Sequence, residues 1–172
     1  MNLAYKHLLP ADFAASSRVW IYQCSRPFTL SEVLQAEEIL NNFSQQWHAH
    51  GAGVKNFATV FFGQFIILMA DETHTHVSGC STDSSVRIIK EMEKQFGVTL
   101  FDRQTLAFVV KDKIQLLPMN QLAYAMENSF ITADTLYFNN TVQTKKELEN
   151  NWLISVKDSW LARKLAFPPV IS

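Results

Sequence analysis

The tightest constraint on this chain is the stretch from Phe57 to Ala70, 14 residues of mainly aromatic, β-branched and other apolar side chains broken at Gly63 and Gln64. It falls short of the ~20 residues that a helix needs to cross a bilayer. Its two halves, Phe57 to Phe62 and Phe65 to Met69, have the composition of strands. Gly63-Gln64 suits a two-residue hairpin connection with a positive φ at the glycine. Strands this apolar are expected at the centre of a sheet, and the rest of the chain must then cover them.

The flanking sequence supplies that cover. Arg18 to Cys24, with Val19, Trp20, Ile21 and Tyr22, reads as a short strand closed by Ser25-Arg26-Pro27. Thr29 followed by Glu32 is a capping box, and it opens a helix carrying Val33, Leu34, Ile39, Leu40, Phe43 and Trp47 at three- and four-residue steps. The segment His48 to Gly53 ends that helix, with His48 and His50 as C-terminal caps. Asp71 to Ser78 reads as a polar loop, after which Thr82, Asp83 or Ser84 caps a second helix. That helix shows Val86, Ile89, Met92 and Phe96 on one side and stops at Gly97.

Thr105 to Val110 and Lys113 to Leu117 flank Lys111-Asp112 as a second hairpin, and Pro118 bars an interior strand from continuing. A short helix around Gln121 to Glu127 and a final strand from Thr135 to Phe138 follow. Thr144 with Glu147 is a second capping box. Ser155 to Leu165 is a last helical piece with Trp160 buried, and Pro168-Pro169 ends ordered structure. The expected fold is therefore a single α+β domain from residue 18 onward, a mainly antiparallel sheet of hairpins with helices packed on it. Residues 1–17 form a loosely held N-terminal arm.

Composition narrows the function. With 15 Lys+Arg against 16 Asp+Glu, a net charge of -1 and a pI near 6.5, the chain has no field to draw it to a phosphate backbone, so nucleic acid is not an expected partner. Charged residues make up 18%, against roughly 25% in typical soluble proteins, which leaves neutral surface for a second copy or another protein to cover. The N-terminus carries Pro10 and Asp12 where a signal peptide needs an unbroken apolar centre, so the chain reads as cytoplasmic and not membrane-bound. Cys24 and Cys80 lie too far apart for a disulfide framework or a zinc knuckle and read as reduced thiols.

Chemistry concentrates at Gly79-Cys80-Ser81-Thr82-Asp83-Ser84-Ser85, where hydroxyls and a thiol meet a helix entrance. Main-chain N–H groups there, backed by the helix dipole, hold anions, and Arg103 is a candidate counter-charge. The same field lowers the pKa of the Cys80 thiol. Asp83 offers the opposite reading, because a carboxylate in the first turn satisfies those N–H groups itself and makes the segment a cap. An alternative is a small thiol- or metal-dependent enzyme using Cys80, Asp71, His74 and His76, with Glu72 beside them, since alternate residues of an extended segment project the same way. Spacing identifies no catalytic set and no cofactor. None of the five glycines precedes a lysine, so a P-loop is absent, as are G-x-G-x-x-G and G-x-S-x-G motifs.

The strings Arg18-Val19-Trp20-Ile21-Tyr22-Gln23, Arg26-Pro27-Phe28, Gly79 to Ser85, Leu100-Phe101-Asp102-Arg103, Phe138-Asn139-Asn140 and Lys157-Asp158-Ser159-Trp160 together resemble a family of small bacterial proteins of uncharacterised activity. Its members are often labelled "ABC transporter ATPase", and the resemblance runs from about Arg18 to Leu165. This chain departs from the label in having neither a P-loop nor a Leu-Ser-Gly-Gly-Gln signature. The resemblance implies a bacterial cytoplasmic domain and transfers no catalytic residue. The expected function is a binding or regulatory module with an anion site near Cys80.

Overall fold

A computed structural model describes residues 1–49 and 51–165 and, of Cys80, the main chain. His50 and Pro168-Pro169 lie outside the described residues. In chain order the elements are β1 (Arg18–Gln23), α1 (Leu30–Gln46), β2 (His48–Ala49), β3 (Ala52–Gly53), β4 (Lys55–Phe61), β5 (Phe65–Asp71), α2 (Gly79–Phe96), β6 (Thr105–Val110), β7 (Lys113–Pro118), α3 (Leu122–Glu127), β8 (Leu136–Phe138), α4 (Lys145–Asn151), β9 (Leu153–Ser155) and α5 (Leu161–Lys164). Each strand pair is antiparallel, giving the expected α+β class. The described residues divide into two compact units with separate cores.

The first unit comprises Asn2–Asp102 and Val142–Glu149. Its main sheet has the order β1-β5-β4, so the expectation that both apolar strands lie at the centre holds for β5 and not for β4. All seven residues of β5 are buried. β4 is an edge, and α1 covers it. Glu37 Oε1 accepts from the Val60 N–H at 2.8 Å and from Thr59 Oγ1 at 2.9 Å, and Asn56 Nδ2 donates to Ser44 O at 2.9 Å. A carboxylate on an outward N–H blunts a sheet edge that would otherwise recruit another strand.

The β4–β5 turn is centred one residue earlier than expected. Gln64 N donates to Phe61 O at 3.1 Å, with φ of 56° at Phe62 and 61° at Gly63. Two left-handed residues make a type I′ turn, whose twist matches the strands it joins. Phenylalanine is a costly occupant of that region. The Phe62 ring stands edge-on to Tyr5 with centroids 6.2 Å apart, so tertiary contact fixes this position.

On one face of the sheet Tyr22, Cys24, Ile66 and Leu68 pack against Ala36 and Leu40 of α1 and Ile89, Met92 and Phe96 of α2. Leu34, which periodicity assigned to the core, is 64% exposed. Both helix ends foreseen from short-range signals are present. Thr29 and Glu32 complete the capping box, and Gly97 ends α2 at φ 63°. Arg26 links these two ends, donating to both Glu32 carboxylate oxygens at 2.8 and 2.9 Å and to Phe96 O at 2.8 Å.

The first 17 residues are anchored where a loose arm was expected. The buried Tyr5 hydroxyl donates to Leu148 O, Ala14 N donates to Asp71 Oδ2 at 3.0 Å, and Lys145 Nζ donates to Pro10 O and Phe13 O at 2.8 and 3.0 Å. Main-chain carbonyls of the arm thus satisfy a buried ammonium, which holds the arm in place.

The second unit comprises Arg103–Thr141 and the chain from Asn150. Its sheet has the order β7-β6-β8-β9. β9 corrects the expectation that the strand at Thr135 to Phe138 is the last, because three residues are too few to show an alternation. Leu106, Phe108, Leu122, Ile131, Tyr137 and Leu161 form its core. Trp160 is not buried as expected but 38% exposed, its Nε1 donating to the Tyr137 hydroxyl at 3.1 Å.

Two carboxylates make these anchors sensitive to acid. The Arg26 guanidinium, with the Thr29 N–H, lowers Glu32 from 4.5 to about 2. The N–H groups of Ala14 and Thr73, with the Thr73 hydroxyl, lower Asp71 from 3.8 to about 2. Both pKa values are depressed by folding, so the stability they confer is complete above about pH 5 and is lost as pH falls through about 2. Thermal unfolding midpoints of the wild type should fall over that window, and those of a Glu32→Gln/Asp71→Asn double variant should fall less. Equal slopes would assign the acid sensitivity to other groups.

Candidate functional site

The polar segment lies inside α2. Its N-cap is Ser78, whose hydroxyl accepts from Ser81 N at 3.1 Å, so the helix starts before Thr82, Asp83 and Ser84, the residues expected to cap it. The reason is a tertiary tie. Ser81 Oγ donates to His48 O at 2.6 Å, and Trp47 Nε1 donates to Ser81 O at 2.9 Å, which fixes the first turn against the end of α1. Thr82 Oγ1 donates to Ser78 O at 3.1 Å and Ser85 Oγ to Thr82 O at 2.7 Å, the usual back-bonding of hydroxyls inside a helix. Ser81 and Ser85 are each 1% exposed. Asp83 faces solvent and Ser84 is half-buried. The Cys80 side chain lies outside the described residues. Arg103 is exposed and opens the second unit.

Asp71, His74 and His76 have separate surroundings. Asp71 is 4% exposed, and its carboxylate is engaged by Ala14, by Thr73 and, at 3.7 Å, by Lys55 Nζ. Glu72 Oε1 accepts from Arg18 at 3.3 Å and from Val77 N at 2.9 Å. His74 and His76 are exposed, with His76 Nδ1 at 4.0 Å from Glu72 Oε2. Among the described residues no three of His, Cys, Asp and Glu gather as metal ligands.

A cleft of about 610 Å³ lies between α1 and α2, and spacing along the sequence did not reveal it. The two helices are tied at both ends. Trp47 and His48 hold Ser81 at one end, and Arg26 bonded to Phe96 O, with Gln95 Nε2 at 3.4 Å from Gln35 Oε1, joins them at the other. The C-terminal end of α1 therefore meets the N-terminal end of α2. Between the ties Ile39 and Phe43 of α1 face Ile88 and Met92 of α2 across the cleft.

Polar groups line the cleft along its length, from Gln95 at one tie past Asn42 to the end of α1. His48, Ser84 and Arg87 line the cleft there, with Gln46 beside them, and Glu91 follows one turn further along α2. Arg87 has no salt bridge with any described residue. Trp47, not His48, is the C-cap of α1; His48 opens β2, with its Nδ1 2.6 Å from Gln46 O. A carbonyl oxygen can only accept, so Nδ1 carries the proton and Nε2 of the neutral ring is an acceptor. The signal for the cleft is a second helical stripe, Ser84, Ile88, Glu91 and Gln95, beside the core stripe Ile89, Met92 and Phe96.

No family model matches the chain, and no curated protein or solved structure matches it either.

The position of the cap is directly testable. Ser78→Ala should cost about 1 kcal/mol in urea unfolding. Asp83→Ala, on the exposed face beyond the first turn, should stay within about 0.5 kcal/mol. The reverse order would return the cap to Asp83.

Proposed function

We propose that the protein is a binding module that takes a small amphipathic ligand, apolar along its body and acidic at one end, in the cleft between α1 and α2. The observation that carries this reading is a cleft of about 610 Å³ in which Ile39, Phe43 and Ile88 lie beside polar side chains that include the cation Arg87. That volume falls within the roughly 300–1,000 Å³ of ordinary ligand pockets. Ile39, Phe43 and Ile88 suit the apolar body. Arg87, with the Ser84 hydroxyl beside it, suits the acidic head.

The anion expected at the helix entrance is thus proposed about one turn further along, with Ser84 shared between the two readings. The absence of a P-loop supports ligand binding over nucleotide hydrolysis. Among the described residues no helix is long and apolar enough to cross a membrane. The resemblance to the bacterial family supports a cytoplasmic setting.

Anilinonaphthalenesulfonate, aromatic rings with one sulfonate, is a suitable probe. It should bind the folded protein at one saturable site. Arg87→Gln should weaken binding on the order of tenfold, the scale of one charge-assisted hydrogen bond. Ile88→Glu should abolish it. Binding indifferent to both substitutions would overturn the assignment.

A further inference from the structure

Among the described residues β7 bounds its sheet and pairs with β6 alone. The hairpin between them turns at Lys111-Asp112, with φ of 52° and 60°, a two-residue type I′ turn. Such a turn makes Val110 and Lys113 a hydrogen-bonded pair. Alternation along the ladder then makes Phe108 with Gln115, and Leu106 with Leu117, hydrogen-bonded pairs as well. The main-chain N–H and C=O groups of Ile114 and Leu116 therefore point away from β6, out of the sheet. No described residue hydrogen-bonds to them, and both residues are partly exposed. The long edge at β4 is covered by Glu37, and the opposite edge of this sheet, β9, has three residues. A row of donors and acceptors that the described residues leave open is a template for another strand.

We propose that β7 pairs antiparallel with β7 of a second copy of this chain, joining the two sheets into one across a two-fold axis. The sequence of the strand selects the register. Centred on Gln115, Ile114 of one copy lies opposite Leu116 of the other, and each such pair exchanges both of its hydrogen bonds. A register centred on Ile114 sets Leu116 against Asp112, which sits in the left-handed turn. A register centred on Leu116 sets Ile114 against Pro118, which has no N–H to give. The Gln115 register alone uses every outward donor and acceptor of Ile114 and Leu116. It also places Lys113 opposite Leu117, so like charges do not meet across the ladder. An isologous contact of this kind closes on itself as a dimer.

Sedimentation of the full chain should show a dimer that dissociates on dilution. The Ile114 and Leu116 amides should be protected from hydrogen exchange at high concentration and lose protection in the monomer. Gln115 faces its own copy in a non-hydrogen-bonded pair, with Cα atoms about 4.5 Å apart, within the span of a disulfide. Gln115→Cys in a Cys80→Ser background, Cys24 being buried, should therefore give a covalent dimer on oxidation with diamide, and Leu117→Cys should not. Leu116→Pro removes an outward N–H and leaves the β6 ladder intact. It should weaken the dimer by a factor on the order of ten to a hundred. A monomer at all concentrations would overturn the proposal, as would a dimer in which Gln115→Cys does not crosslink.

Discussion

The fold of the first unit depends on one constraint, that β5 is buried from Phe65 to Asp71 on both faces. A strand in that position can leave no main-chain group unpaired, so it needs a neighbour on each edge. β1 and β4 supply them, with registers running from Phe65 opposite Gln23 to Ala70 opposite Arg18 on one side and from Phe65 opposite Phe61 to Asp71 opposite Lys55 on the other. The requirement then passes outward. The outer edge of β4 is met by Glu37, and Val19 of β1 donates to Gln143 O at 2.9 Å. The polar end of β5 is used as well, since Asp71 holds Ala14 of the N-terminal segment.

The cleft follows from the way α1 meets this demand. Glu37 and Ser44 draw the helix over the β4 edge, through Val60, Thr59 and Asn56. Arg26 and Trp47 nevertheless bind it to α2 at its two ends. Between those ties Ala36, Leu40, Ile89 and Met92 share one core, while Ile39 and Phe43, on the cleft side, are left half-buried.

The parts of the structure legible in the sequence are those whose cause is local. Thr29 and Glu32 satisfy each other's main chain within one turn, Lys111-Asp112 accepts two left-handed residues, and Gly97 supplies the left-handed stop. The cap at Ser78 has a local signature too, but Ser81, Thr82, Asp83, Ser84 and Ser85 carry the same one. What separates them is the bond from Ser81 to His48, 33 residues away. The cleft lies further beyond local reach, since its ties join residues 34, 60 and 70 positions apart. Leu34 is exposed for a related reason. Helical periodicity names a face, but the small Ala36, fully buried, is what lets α1 approach the sheet.

The two units treat their edges differently, and that difference bears on how the chain works. In the first, the β4 edge is closed by a carboxylate, and the unfilled feature is a cleft of mixed polar and apolar lining. In the second, the helices pack on the sheet while the β7 edge carries no charge between Ile114 and Pro118. A lysine or glutamate at either outward position would have been the ordinary means of keeping such an edge monomeric. Charge is instead placed at Lys111, Asp112 and Lys113, where it bounds the open run without interrupting it. With a charged fraction of 18% and a net charge near zero, long-range repulsion does little to keep two such edges apart. Because the cleft and the edge belong to different units, the proposed ligand binding and the proposed self-association rest on separate residues, and either can be altered without changing the groups invoked for the other.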